Sequence, residues 1–555
     1  MTTIDPHAAS APATAGSGVA GVAEWLTTTD HKRIGRLYLG AAALLLLATS
    51  AISVLLGIER ISPTREWLEV GSLTQLFSLQ RFGLTYLVLL PLIVGVATAI
   101  VPLQVGARSL AFPRLAVSGF WLWLLGAGLG IYSIINNGGP GGGNRRFVEL
   151  FILCAALVMV GLLATVISLV TTILTTRAPG MNMRRLPYFT WSVLVAGLGL
   201  VVALPVLIGD LLYLYISYRY QSLSELSGNR ALAQWAGFGF TQPTTLLFAI
   251  PALGLFADTV ATATRQRLRP RGIIYTGIAL VSVAVFATVL QAPATLRPGF
   301  TSAARGDQLA DLLPFLLVHG LPLLGCFVAV ALIAKGIAAK PKVIAPLVFA
   351  LFASLTLLGA VAANAVNHVG DAALAGYTFE EGTWLAVVFA GVLTAMGAVA
   401  YWGPKWWGRS MPLKATLPLA LLAFAGAQLA SLPLLIAGFA NQPGAVFATV
   451  EAGIDPVTKV PNDLVVNFDY SGPMELWNIL STAGHALMLL AVLAFVALAL
   501  RSFLKGEAAG DDPFDGQTLE WATTSPAPYD NFAEVHIVQS AEPLLDLKPA
   551  NRSDA

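Results

Sequence analysis

The chain has 555 residues, of which 56% are hydrophobic and 11% charged, and its formal net charge is +2. A charged fraction so far below the roughly 25% of soluble domains, with a mean hydropathy of +0.74, excludes a water-soluble globule and points to a polytopic membrane protein. Basic residues confined to short loops leave no tract for nucleic acid, and two cysteines inside apolar runs, Cys154 and Cys326, leave neither a disulfide framework nor a CxxC metal site.

Residues 1–25 are rich in Ala, Thr, Gly and Ser and lack the basic start and short apolar core of a secretory signal. They read as a mobile arm, and the arm is drawn to residue 33. The first span, Leu37 to Ile58, follows a basic cluster of His31, Lys32, Arg33 and Arg36, which holds the N-terminus on the cytoplasmic side. Eleven further spans are predicted at Phe82 to Leu103, Leu115 to Ile135, Phe147 to Leu174, Phe189 to Ile216, Phe240 to Ala261, Ile273 to Leu290, Leu312 to Ile333, Val343 to Ala363, Trp384 to Trp402, Leu417 to Ala437 and Leu480 to Leu500. Each is near the about 20 apolar residues that cross a hydrocarbon core.

With both termini inside, the cytoplasmic segments near the spans carry 20 Lys and Arg against 10 in the outer loops. Arg265, Arg267, Arg269 and Arg271 in one short connection are the strongest inside marker, and could also hold anionic lipid. The stretch Gly382 to Gly408, GTWLAVVFAGVLTAMGAVAYWGPKWWG, is the centre of the chain: an apolar helix without histidine. Its cluster Trp402, Trp406 and Trp407 reads as an interfacial anchor. The longest outer loop, Gly438 to Met474, could face a partner. The division expected is an arm over 1–33, an all-α bundle of twelve transmembrane helices over 34–500 and a polar cytoplasmic tail over 501–555.

Several segments in a fixed order resemble subunit I of the bacterial haem-copper (cytochrome c) oxidases: TTDHKRIGRLYL at Thr28 to Leu39, VPLQVGARSLAFPR at Val101 to Arg114, RAPGMNMRRLPYFTW at Arg177 to Trp191, YWGPKWWG at Tyr401 to Gly408, and LEWATTSPAP from Leu519. The resemblance implies a ring of twelve helices that in the family holds a low-spin haem, a high-spin haem and a copper. Two axial ligands, one axial ligand and three nitrogens respectively require six intramembrane imidazoles. This chain has six histidines in all. His7, His31 and His536 fall in aqueous segments, His368 in a connection, and only His319 and His485 within spans.

Matched by eye, the family's haem-ligating histidines correspond to Gln80, which stands eleven residues before Pro91, and to Gly382 and Trp384. Its copper ligands correspond to Gln242, Gln291 and Ala292, and the motif HPEVY reads as Gln242, Pro243, Thr244, Thr245 and Leu246. The proton-uptake aspartate matches Ser109, an asparagine near it Ala116, the propionate-binding arginines Gly444 and Ala445, and the family's magnesium pair Leu374 and Ala375. Ligands and their supporting partners are absent together, which loss of a single ligand would not explain.

Among the remaining polar residues, Gln80, Gln242 and Gln291 read as hydrogen-bonding links between helices, or as the lining of a polar cavity for water, lipid or quinone. His319 and His485 invite a residual metal or haem site, although no partner is visible for either. Asp210, Asp258 and Glu149 are carboxylates in or near spans, and Asp258, seven residues before Arg265, is expected at a solvated end. Met159, Met396 and Tyr401 fit helix packing better than haem ligation.

The reading favoured is a cofactor-poor, non-catalytic paralogue acting as a structural, regulatory or assembly component beside a respiratory oxidase in a bacterial plasma membrane. No cofactor is then expected; haem and copper return only if the family activity is kept. The partners are membrane lipids, with other oxidase subunits or a paralogous subunit I, and no nucleic acid. The alternatives are an active terminal oxidase passing electrons from cytochrome c to O2 with proton pumping, and a transporter or binder of a small lipophilic molecule.

Overall fold

A computed structural model describes residues 24–61, 68, 70–140, 143–220, 245–290, 312–369, 374, 376–444, 473–534 and 537–547. Among these, twelve helices are long and apolar enough to cross a membrane: α1 His31–Ile61, α2 Ser72–Gln104, α3 Pro113–Ile135, α4 Arg145–Thr175, α5 Tyr188–Tyr220, α6 Leu246–Thr264, α7 Arg271–Thr288, α8 Leu312–Ala339, α9 Ala345–Asn367, α10 Thr378–Trp407, α11 Leu413–Phe439 and α12 Met474–Lys505. The count matches the twelve read from hydropathy, and the protein is an all-α, multi-pass membrane bundle.

Three helices form its middle. The most apolar stretches of α2 and α6 are wholly buried and that of α10 nearly so, whereas the other nine expose a large share to their surroundings. A helix apolar on every side has no face to give to water and suits the centre of a bundle. Close approach is provided by glycine: a Cβ at Gly391 of α10 would lie 1.9 Å from Leu89 Cδ1 of α2, so a side chain there would force Leu89 to repack. The same holds where α3 crosses α4, since a Cβ on Gly119 would meet the Gly161 carbonyl oxygen at 2.5 Å. In α2 the turn Gly83–Leu89 widens to π-helical form just before Pro91, where the ring has no N–H to give the preceding turn. Consecutive helices pack as neighbours, and α12 returns to lie against α1.

The residues after α12 do not hang in solvent. A 3₁₀ turn Leu519–Ala522 and a short helix Pro543–Leu547 fold against the end of the bundle where α1 begins and α12 finishes. We call this the tail end and its opposite the far end.

This docking corrects several sequence-based expectations. The first helix starts at His31 instead of Leu37, and His31 is buried instead of aqueous. Its ring bonds the Thr98 carbonyl at 3.0 Å and Asn531 Oδ1 at 2.9 Å. Trp402 and Trp406 are buried, not interfacial, and Trp402 Nε1 donates to Glu520 Oε1 at 3.1 Å. Asp258 is buried instead of solvated. For His31 and Trp402 the tail supplies the partner, Asn531 and Glu520, whereas Asp258 is held within the bundle by Gln104 and the backbone of Tyr188 and Phe189.

Candidate functional site

Two buried polar networks and one histidine pair stand out from an otherwise apolar interior. At the far end, Arg60 on the last turn of α1 meets Glu381 on the first turn of α10, with Nη2 and Oε2 at 2.6 Å. The carboxylate sits where the exposed N–H groups of a helix start favour negative charge. Arg60 Nη2 also donates to the Gly444 carbonyl at 2.9 Å. Asn478 of α12 donates to the Arg60 carbonyl at 3.1 Å and accepts from Gln442 at 2.9 Å. Gln80, Ser53 and His485 join Arg60, Glu381 and Asn478 around a gap of about 10 Å³, room for roughly one water.

The sequence-matched positions near this network have defined occupations. Gln80 on α2 donates to Ser53 Oγ on α1 at 2.9 Å. Trp384 is buried on α10, and its indole N–H donates to Thr85 Oγ1 of α2 at 2.9 Å. Gly382 is a packing position, since a Cβ there would come within 2.8 Å of the Ser431 carbonyl oxygen of α11. Gln242, Gln291 and Ala292, like Ala375 and Ala445, lie outside the described residues.

At the tail end, Gln104, the last residue of α2, bridges two carboxylates. Its Nε2 donates to Asp258 Oδ2 at 3.2 Å and to Glu520 Oε1 at 3.0 Å, while its Oε1 accepts from Thr190 at 2.6 Å. Asp258 also takes the backbone N–H groups of Tyr188 and Phe189, at 3.0 and 3.1 Å. These are among the N–H groups that the start of α5 leaves without helical partners, and capturing them is why a carboxylate is tolerated there. Glu520, carried in by the tail, is wholly enclosed, and burial raises its pKa above the ordinary carboxylate value. Lys405 of α10 is fully buried and donates to the carbonyls of Asp511 at 2.8 Å and Thr523 at 2.7 Å, tying the tail down.

His319 of α8 and His368, just past α9, stack with ring centroids 4.3 Å apart and planes 23° apart. The expectation that His319 has no partner is overturned by this ring and by Asn364 Nδ2, 3.1 Å from its Nδ1. His368 Nδ1 lies 2.8 Å from the Asn364 carbonyl, and burial lowers its pKa. His485 stands apart on α12, its ring 6.1 Å from that of Phe389. Among the described residues no group of three or more His, Cys, Asp or Glu is placed to hold a metal ion.

Glu149 pairs with Arg145 and Arg219 at 3.3 and 2.8 Å. Tyr401 hydroxyl lies 2.8 Å from Thr262 Oγ1, and Met159 is buried on α4. Met396 lines an apolar groove of about 450 Å³ between α1, α2, α10 and α12, in which no lining residue is a histidine. Sequence reasoning missed Arg60–Glu381 and Gln104–Glu520. A signal for the first existed: Glu59, Arg60, Glu380 and Glu381 end or begin apolar helices, where charge is costly and paired.

A family model described as Cytochrome C and Quinol oxidase polypeptide I matches residues 33–487. The chain is 26% identical over 549 residues to cytochrome c oxidase subunit 1 of Bacillus subtilis, covering 95% of this chain and 83% of that one. It is 27% identical over 559 residues to a putative cytochrome c oxidase subunit 1-beta of Streptomyces avermitilis, covering 96% and 94%. Among solved structures, a chain of a heme-copper terminal oxidase dimer superposes with a TM-score of 0.61 at 14% identity, over 86% of this chain and 84% of that one, a likeness of fold.

Proposed function

We propose that this chain, which belongs to the cytochrome c and quinol oxidase polypeptide I family, is a non-catalytic, cofactor-poor paralogue of oxidase subunit I. It serves a respiratory complex of a bacterial plasma membrane as a structural, regulatory or assembly component, with both termini cytoplasmic. The orientation is supported by the bias of Lys and Arg toward the tail end.

The observation that carries this reading is what stands at the matched ligand positions. Gln80 and Trp384 spend their polar atoms on Ser53 and Thr85, linking α2 to its two neighbours. An amide is not a usual haem ligand and an indole N–H is a donor only. The four described histidines supply no substitute: His31 is held at the tail end by Thr98 and Asn531, His319 stacks on His368, and His485 of α12 lines the far-end gap without a second histidine beside it among the residues that line it. On this reading the residues do not fit a centre of two haems and a copper, and no step of oxygen reduction is routed through one.

The second reading, an active terminal oxidase, is favoured by the name shared by the relatives, cytochrome c oxidase subunit 1. A pyridine haemochrome assay and copper analysis on the purified chain separate the two. Less than a tenth of a haem or copper per chain is expected, with authentic oxidase subunits co-purifying from mild detergent. Two haems and one copper per chain would overturn the proposal.

A further inference from the structure

Two imidazoles meet near the far end of the bundle. His319 stands in the π-helical turn Leu316–Gly320 of α8, just before Pro322, and His368 follows the last residue of α9. Both rings are buried. Widened turns of this kind recur at functional sites, and ionisable side chains at membrane depth are costly and ordinarily carry a function.

One residue holds both rings by the same nitrogen. The backbone carbonyl of Asn364, one turn before His368, lies 2.8 Å from His368 Nδ1, and its side-chain amide lies 3.1 Å from His319 Nδ1. A carbonyl can only accept, so His368 carries its proton on Nδ1 and keeps a lone pair on Nε2. Metal-binding histidines are oriented in this way, one nitrogen on the ion and the other donating to a carbonyl. At His319 the amide decides. With Nδ2 toward the ring, Nδ1 accepts and the proton sits on Nε2; a half-turn of the amide puts Oδ1 there, moves the ring proton to Nδ1 and frees the Nε2 lone pair. No proton is lost in that exchange. The rings stack with centroids 4.3 Å apart, so two such lone pairs lie close together. On the last turn of α9, Asn367 Oδ1 is enclosed without a hydrogen-bond partner among the described residues, an acceptor that a metal-bound water would satisfy.

We infer that His319 and His368 are the two imidazole ligands, through Nε2, of a site for a divalent first-row transition ion of the zinc class, with Asn364 as the residue that positions both rings. Nitrogen donors suit such an ion and not magnesium or calcium, which take oxygen. Water completes the tetrahedral set that zinc prefers. None of the positions matched to haem or copper ligands belongs to this pair, so the inference stands or falls apart from the proposed function.

Binding of ZnCl2 to the full chain tests this, with protein purified without a polyhistidine tag, washed with chelator and titrated in detergent by calorimetry. One zinc per chain is expected, and zinc-edge X-ray absorption should show imidazole nitrogens at about 2.0–2.1 Å. His319→Ala and His368→Ala should each abolish binding, and Asn364→Leu should weaken it by about ten- to a hundredfold. His368→Cys, which keeps a zinc ligand of different chemistry, should retain one zinc and add sulfur to the absorption signal; this separates a lost ligand from a lost fold. Replacing the terminal histidines together, His7→Ala with His536→Ala, should change nothing. Absence of stoichiometric zinc from the parent chain, binding that persists in His368→Ala, or binding lost only with the terminal histidines would overturn the inference.

Discussion

Two buried polar networks, one at each end of the bundle, handle charge in opposite ways. At the far end a cation and an anion, Arg60 and Glu381, face each other at 2.6 Å inside a cluster drawn largely from membrane helices. In the network at the tail end, amides and carbonyls take that part: Asp258 is held by Gln104 and two backbone N–H groups, Glu520 Oε1 by Gln104, and Lys405 by tail carbonyls. The first arrangement belongs to the bundle and must form whenever α1, α10 and α12 pack. The second is completed by residues 511–531 of the tail, which cover the polar layer beneath them.

The sharpest way to break this contrast is to remove one partner of the ion pair. Glu381→Leu strands the Arg60 charge in a buried site and is expected to lower stability by about 3–5 kcal/mol, whereas Arg60→Met combined with Glu381→Leu should recover most of the loss. Unfolding of the purified chain in mixed micelles measures both. Equal losses in the single and double variants would mean that the pair is not coupled as its geometry indicates.

The matching change at the tail end should act locally. Lys405→Met leaves the carbonyls of Asp511 and Thr523 without their donor, which amounts to about 1–3 kcal/mol for buried groups. Because the loss falls on tail docking, hydrogen exchange should quicken over 511–531 and stay unchanged around Arg60. Faster exchange at both ends would show the two networks to be one.

The same contrast explains what could be read from the sequence. Twelve spans were legible because each is a long apolar run, a property of consecutive residues. The start of α1 was not: His31 and Lys32 carry a polar signature, and the group that buries them, Asn531, lies 500 residues along the chain from His31. Asp258 was misread for the same reason, since Tyr188 and Phe189 reach it from 70 and 69 residues away and Gln104 from 154. At the far end, the residues chosen by likeness to a ligand pattern drew attention to Gln80 and Trp384, while Arg60 and Glu381, the strongest interaction there, were passed over. A pattern search finds positions where a known chemistry would be, and an ion pair between two helix ends has no such pattern. The stacked His319 and His368 escaped it as well, because the second ring stands just outside the helix that positions it.

The smallest effect, and the one that bears most directly on tail docking, concerns Glu520. Its pKa is raised by burial, so between the ordinary carboxylate pKa and the raised value the docked tail binds more proton than the undocked tail. Stability of docking from this group is therefore fully present below the ordinary carboxylate pKa and is lost as pH rises through that window, the reverse of a salt-bridged carboxylate. Exchange protection of the amides from Leu519 to Ala527 should be greater at pH 5 than at pH 8. Glu520→Gln keeps an acceptor for the Gln104 and Trp402 donors and removes the titration, so it should hold the tail equally well at both pH values. Far-end amides should show no difference between parent and variant, because the Arg60–Glu381 pair is closed by the helices and is not covered by the tail. A pH response unchanged in Glu520→Gln would assign the titration to another group, with Asp258, joined to the same Gln104 amide, the next to test.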